Sequence, residues 1–278
     1  MKILYIAELV GKAGIYALKK GLPALKETLR PDFIIACANG ATGGGGLGRN
    51  HAAYIRKLGV DAITTGDCCF YKKDLVENIG KIPYVLRPYN LNPASPGSGE
   101  RLFRAKDSKV AVAVLLGQND SGRLNPSSPF AVFQSLLERL RGETPYVIVD
   151  FHAWASGEKR TFFAAAKGLC TAIIGSHNRV QTADEQLLKG TAVICDAGRT
   201  GSAESVGGAE TASRIREYLS GIPDWTREAW EKPEIQGVFI EADNSGRAVS
   251  IRRIKSPVET SGAQGSREPE SAGLDNSD

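Results

Sequence analysis

Short apolar runs, rich in β-branched residues and separated by segments of helical spacing, restrict this chain to few architectures. KILYIAEL (2–9), DFIIACA (32–38), DAITTGD (61–67), KVAVAVLLG (109–117), YVIVDFHA (146–153), TAIIGSH (171–177) and TAVICDAG (191–198) read as buried strands. Helix candidates lie between them, at about 13–29, 49–59, 71–80, 130–141, 156–167 and 208–220. In the 130–141 segment, Phe130, Val132, Phe133, Leu136, Leu137 and Leu140 fall largely on one face. Alternating strands and helices imply an α/β fold. Near the end, IQGVFIEAD (235–243) and AVSIRRI (248–254) flank Asn244-Ser245-Gly246-Arg247. That is a hairpin signal, so the sheet is expected to be mixed.

From Ser256 onward the chain is rich in Ser, Gly, Glu and Pro and has no aromatic residue. Such a segment cannot bury enough apolar area to fold. The expected organisation is one domain over 1–255 and a disordered acidic tail over 256–278. The tail holds five acids (Glu259, Glu268, Glu270, Asp275, Asp278) and one base (Arg267), a net −4. Because the whole chain carries +4, the rest carries +8. A basic body suits a phosphate-bearing partner, a small molecule or RNA, and equally suits an ordinary solvated surface. No apolar run approaches the ~20 residues of a membrane helix, so no membrane partner is expected. The first residues lack a basic region followed by a small-residue cleavage site and read as a strand, which makes the cytoplasm the expected compartment. The sequence is compatible with a homo-oligomer and does not specify one. The five cysteines are odd in number and lack Cys-x-x-Cys spacing, against a zinc ribbon or disulfide scaffold. Cys37, Cys170 and Cys195 are expected as buried thiols.

Ligands of open α/β sheets gather beyond the carboxyl ends of strands. The predicted strands here end in Glu8, Asn39, Asp67, His152, His177 and Asp196. A lone Asp or Asn at such a place is more often a helix cap, but the set says more than its members. Of three histidines, two stand just past strands, in Asp150-Phe151-His152-Ala153 and Gly175-Ser176-His177-Asn178. Neutral imidazole beside carboxylate and amide oxygens suits zinc, iron or manganese. The plainer alternative is two structural histidines, and His51, inside a helix, reads as a surface residue. The loop from Asn39 through Gly43-Gly44-Gly45-Gly46 to Arg49 could present backbone N–H groups to phosphate. It is neither a Walker A loop nor a dinucleotide fingerprint, and no cofactor-binding residue is assigned.

These phrases, in this order, resemble the YmdB-type metallophosphoesterases, a calcineurin-like family associated with 2',3'-cyclic-nucleotide phosphodiesterase activity. The resemblance runs from Met1 to about Ile254. It includes Val85-Leu86-Arg87-Pro88-Tyr89-Asn90, Pro96-Gly97-Ser98-Gly99, Val180-Gln181-Thr182-Ala183-Asp184, Gly190-Thr191-Ala192 and Asp196-Ala197-Gly198-Arg199-Thr200-Gly201. It implies two packed mixed β-sheets flanked by helices, a four-layer αββα arrangement, with metals at the strand ends. The chemistry residues depart from the family. Its Gly-Asp-x-x-Gly is here Ala7-Glu8-Leu9-Val10-Gly11, its Gly-Glu-Asn is Ala38-Asn39-Gly40, its Gly-Asn-His is Gly66-Asp67-Cys68, and its His-x-His is His177-Asn178-Arg179.

Carried over, one metal would be held by Asn39, Asp67, His152 and His177, and would be a single divalent iron, manganese or zinc. The other would need Glu8, Asn39, Gly40 and Arg179. Glu8 can still ligate, though its extra methylene moves the carboxylate outward; Arg179 cannot. Its guanidinium could instead take the missing cation's place and pair with Glu8. Arg179 and Cys68, which stand where the family has histidines, are the candidate catalytic positions. The expectation is a rewritten and impaired phosphodiesterase site with one metal at most, and a role in phosphate or nucleotide binding or regulation. Two alternatives stay open: a working phosphodiesterase using one metal plus Arg179, and a structural protein without metal.

Overall fold

The computed structural model describes residues 1–119, 123–223 and 227–260. In chain order the strands are β1 (Lys2–Ile6), β2 (Glu8–Leu9), β3 (Phe33–Cys37), β4 (Ala62–Thr64), β5 (Val85–Leu86), β6 (Glu100–Ala105) and β7 (Ser108–Leu116). They continue as β8 (Val147–His152), β9 (Ala172–Ser176), β10 (Gln186–Leu188), β11 (Thr191–Ile194), β12 (Arg199–Ser202), β13 (Pro233–Ala242) and β14 (Ala248–Pro257). The helices are α1 (Gly11–Leu29), α2 (Arg49–Lys57), α3 (Lys73–Val76), α4 (Pro129–Arg141), α5 (Ser156–Ala166) and α6 (Thr211–Ser220).

One sheet runs β2-β12-β13-β1-β3-β4-β5 with β14 added against β13, and the other runs β10-β11-β9-β8-β7-β6. Both are mixed. β1, β3, β4 and β5 are parallel while β13 enters antiparallel. β7, β8, β9 and β11 are parallel while β6 and β10 close the edges antiparallel.

The period-2 alternation of a strand separates its two faces. In β1, Ile3 and Tyr5 meet Val110, Val112 and Val114 of β7 between the sheets. Leu4 and Ile6 instead meet Leu18, Leu22 and Leu25 of α1 on the outside. On the far side, Ala111, Ala113 and Leu115 of β7 pack against Phe133, Leu136, Leu137 and Leu140 of α4 and Phe162 of α5. The layers are therefore helix, sheet, sheet, helix. The central strands β3, β8, β9 and β11, and most of β1 and β7, are buried on both faces, and this is why their sequences are continuous apolar runs.

The hairpin signal corresponds to β13 and β14, with Gly246 at φ +80° in the turn. A Cβ there would lie 2.0 Å from the Pro145 carbonyl oxygen, so the turn needs glycine. β14 continues past Lys255 to Pro257, and Val258 N–H donates to Pro233 O at 2.8 Å. Residues 256–258 thus belong to the sheet, and the expected boundary at 255 falls inside a strand. Of the expected tail, 261–278 lies outside the described residues. The expected helix at 71–80 is only the single turn α3 followed by a 3-10 turn at Ile79–Lys81. Among the described residues no helix is long and apolar enough to cross a membrane.

Candidate functional site

Both sheets contribute strand ends to one place. β8 ends on His152 and β9 is followed at once by His177, while the chain leaves β4 at Thr64 and turns to bring Asp67 across. Asp67 Oδ1 lies 2.9 Å from His152 Nε2, and His177 Nδ1 lies 3.0 Å from the same nitrogen. His177 Nδ1 is 3.8 Å from Asp67 Oδ1. Ligand atoms of one oxygen and two nitrogens, all within 4.8 Å of one another, fit a single divalent transition metal. The Asp67 carboxyl is held far below its usual range: burial works against this, and hydrogen bonds from His152 and His177 prevail. For His152, burial favours the neutral ring, yet Asp67 outweighs it and the pKa is raised.

His152 is oriented from behind. Ser176 Oγ–H donates to Asp150 Oδ1 at 2.7 Å, so its oxygen accepts from His152 Nδ1–H at 2.8 Å. This fixes the hydrogen on Nδ1 and points Nε2 at Asp67 and His177. Asp150 is fully buried and also accepts from the Tyr5 and Thr64 hydroxyls. Burial raises its pKa, opposed by His152 and by these donors. The sequence reading missed this support. The available signal was the spacing: a carboxylate two residues before a histidine in a strand shares its face.

Asn39 is brought to the site with its amide oxygen turned away from the cluster. Its Oδ1 accepts from the backbone N–H groups of Gly66 (2.7 Å) and Cys68 (3.0 Å). The amide is thereby fixed with Nδ2 toward Asp67 Oδ1, at 2.8 Å, and His152 Nε2, at 3.4 Å. An amide nitrogen offers hydrogens and no lone pair. Of the four expected residues, Asp67, His152 and His177 bring their ligand atoms together, and Asn39 turns its amide nitrogen toward them.

Next to these residues the partly exposed Arg179 pairs with the buried Glu8. Arg179 Nε and Nη2 donate to Glu8 Oε1 at 3.0 and 2.8 Å, Nη2 also donates to Gly44 O at 2.8 Å, and Nη1 donates to Gly207 O at 3.0 Å. Burial opposes the guanidinium charge, but Glu8 more than offsets this and raises its pKa. Glu8 Oε2 is buried without a hydrogen-bond partner. Glu8 also clusters with Cys37 and His152, though burial, Asp150 and Glu8 itself keep the Cys37 thiol protonated. A Cβ on Gly40 would come 2.7 Å from Arg179 Nη2 and 3.0 Å from Glu8 Oε1. Glycine at 40 is the condition for the guanidinium to be there. The Cys68 thiol is pushed up to about 12, by burial first and then by Asp67 and Glu8, so near neutrality it is neither a thiolate nucleophile nor a cation.

The turn carrying His177 and Arg179 has both residues at positive φ, 105° and 59°. Such backbone persists only when its surroundings hold it. Here Lys159, 1% exposed, donates from Nζ to Asn178 Oδ1 at 2.8 Å and pairs with Asp196 Oδ2 at 3.3 Å. Asp196 Oδ2 accepts from Asn178 N–H at 2.8 Å, and Asn178 Nδ2 donates to Trp154 O at 3.2 Å. Asp196, one of the polar strand ends, therefore holds the turn and lies outside the ligand group. Lys159 gave no sequence signal, being one lysine in an amphipathic helix.

The glycine-rich loop differs from the phosphate cradle considered above. Thr42 N–H and Gly46 N–H are bonded within the loop, to Gly46 O and Asn39 O, and the group it offers Arg179 is the Gly44 carbonyl. His51 is not a bare surface residue: its Nδ1 meets Thr42 Oγ1 at 2.7 Å, and that oxygen accepts from Gly48 N–H at 2.8 Å.

Residues 4–254 match a protein family described as YmdB-like protein. The 2',3'-cyclic-nucleotide 2'-phosphodiesterase of Bacillus subtilis (strain 168) is 34% identical over 256 residues, 91% of this chain and 96% of that protein. A putative phosphatase/phosphodiesterase of Mycoplasma pneumoniae is 32% identical over 92% of each chain. The crystal structure of a novel phosphatase from Mycoplasma pneumoniae superposes with a TM-score of 0.87 at 29% identity, covering 93% of this chain and 94% of that one.

Proposed function

This chain belongs to the YmdB-like family of metallophosphoesterases, and on that premise we propose a phosphate-ester-binding site with one divalent metal and a fixed guanidinium in place of a second. Its phosphodiesterase chemistry is weakened accordingly. Asp67, His152 and His177 hold the metal, which when bound supplies positive charge to a phosphoryl oxygen. The ligands are phosphate-bearing nucleotides, the class named in the Bacillus subtilis relative, or the phosphates of RNA.

The observation that carries the reading is the Arg179–Glu8 pair over Gly40. Three positions differ from the family pattern in a mutually consistent way: the arginine needs an acid it can reach and a neighbour without a side chain. A second concerted change lies beside it. The family's acid and amide are exchanged in Asn39 and Asp67, which bond to one another at 2.8 Å, so one carboxylate is kept within the pair. Decay would not be expected to preserve these relations.

The weakening follows from donor accounting. Arginine has five N–H groups. Two face Glu8, one faces Gly44 O and one faces Gly207 O, which leaves one for a phosphoryl oxygen. An electrophilic Arg179 sustaining full turnover is therefore disfavoured, and Cys68 cannot supply the charge of the histidine it replaces. Metal analysis of protein purified without chelator or affinity tag, paired with turnover of a 2',3'-cyclic nucleotide, tests the proposal. About one equivalent of metal is expected, with turnover lower than that of the Bacillus subtilis protein by on the order of 10²–10³, the loss typical of removing one group that stabilises developing charge. Two equivalents, or equal rates, would refute it.

A further inference from the structure

Asp67 faces two ways. Besides contacting His152 and His177, it forms one end of a cleft of about 550 Å³ otherwise lined by Phe70, Tyr71, Arg123 and Leu124. That volume falls within the range of small-molecule sites, which combine apolar walls with a few polar groups. The two rings arise from the turn that follows Asp67, so the sequence Asp67-Cys68-Cys69-Phe70-Tyr71 places aromatic surface immediately beside the metal residues. Phe70 is half-buried and anchored against Cys69, Leu91 and Leu116. Tyr71 is 62% exposed, yet seated on the glycine loop, where a Cβ at Gly46 would come 3.0 Å from its own Cβ. The other exposed ring nearby, Trp154, stands edge-on to His177 with centroids 5.2 Å apart and does not line this cleft.

Rings held at the rim of a phosphate site, with one carboxylate and one guanidinium at the same cleft, match the needs of a nucleobase. Bases stack on exposed aromatic side chains and take hydrogen bonds at their edges. We propose that this cleft is a nucleobase subsite: Tyr71 and Phe70 stack the base, Arg123 bonds its edge, and the phosphate lies toward Asp67, His152 and His177. The inference rests on the phosphate-binding reading above and extends it to the organic half of the ligand.

Calorimetry on the metal-loaded protein tests it with inorganic phosphate, ribose 5-phosphate, adenosine and 2'-AMP as probes. The unaltered protein should bind 2'-AMP at least about tenfold more tightly than ribose 5-phosphate. Tyr71→Ala should weaken 2'-AMP and adenosine by about 5- to 100-fold, the range found on removing one stacking partner, and leave phosphate, ribose 5-phosphate and metal content unchanged. Tyr71→Trp should restore the 2'-AMP affinity. Equal affinity for 2'-AMP and ribose 5-phosphate, or equal losses for every probe in Tyr71→Ala, would overturn the subsite and leave the phosphate reading intact. Adenosine binding that depends on Tyr71 without any phosphate binding would support the subsite and overturn the phosphate reading.

Discussion

A guanidinium beside the cluster of Asp67, His152 and His177 must be neutralised where it stands, and Glu8 does so with Oε1 alone. Arg179→Met would leave a carboxylate that is 1% exposed without its cation. Breaking a fully buried pair from one side costs about 3–5 kcal/mol, and because Arg179 is 22% exposed, urea unfolding of the variant should show a loss at or below the lower end of that range. His152 and Asp67 give a second expectation, with opposite signs for the two states of the protein. Without metal, the raised His152 pKa stabilises the fold below the ordinary histidine range, and this is lost as pH rises through the folded value. With metal, the ligands must be deprotonated, so affinity grows as pH rises. The increase in melting temperature on adding zinc or manganese should therefore widen from pH 6 to pH 8; a constant increment would argue against His152 as ligand. At this scale the identities of the clustered residues were legible from strand ends and resemblance. The direction of the Asn39 amide was not, because two backbone donors of a different turn decide it.

Among the elements, the turn after β9 joins the metal residues to the guanidinium. Lys159→Met removes the bond that ties Asn178 to α5, and supports of this kind carry about 10- to 100-fold in metal affinity. Cobalt titration followed by visible absorption should show that loss together with altered band intensities, since His177 would no longer be fixed. The loop after β3 is coupled to the same turn through Gly40. Gly40→Asn alone should destabilise, because its Cβ already meets Arg179, whereas Gly40→Asn with Arg179→His should recover part of the loss. A double-mutant coupling of about 0.5–3 kcal/mol by urea unfolding is expected; strict additivity would show that the two positions are independent. Most long strands and helices were readable as apolar runs and faces. β6 was missed because it is an edge strand whose Arg101 and Arg104 are exposed and whose burial is partial, which erases the apolar signal. The segment 71–80 shortened because it buries little beyond Leu75 and Ile79, too few contacts to carry ten residues as helix.

For the molecule as a whole, the four-layer order followed from strand and helix alternation together with the resemblance, while its C-terminal limit did not. Ser256 and Pro257 look like the start of a polar segment, but backbone pairing with β13 is indifferent to side-chain polarity. Truncation after Thr260 should leave the melting temperature within about a degree, since what is removed lacks aromatic anchors. Truncation after Lys255 should lower it by several degrees, because it removes the Ile235 and Glu234 partners in β14 and the Val258 bond to Pro233. The place of β1 has a further consequence, in time. It lies between β3 and β13, with Lys2 opposite Glu241. A ribosome adding 5–20 residues per second takes about 10–50 s to travel from one to the other. Throughout that interval β1 lacks its β13 partner and keeps one edge open, so the completion of this sheet waits on the synthesis of the β13–β14 hairpin.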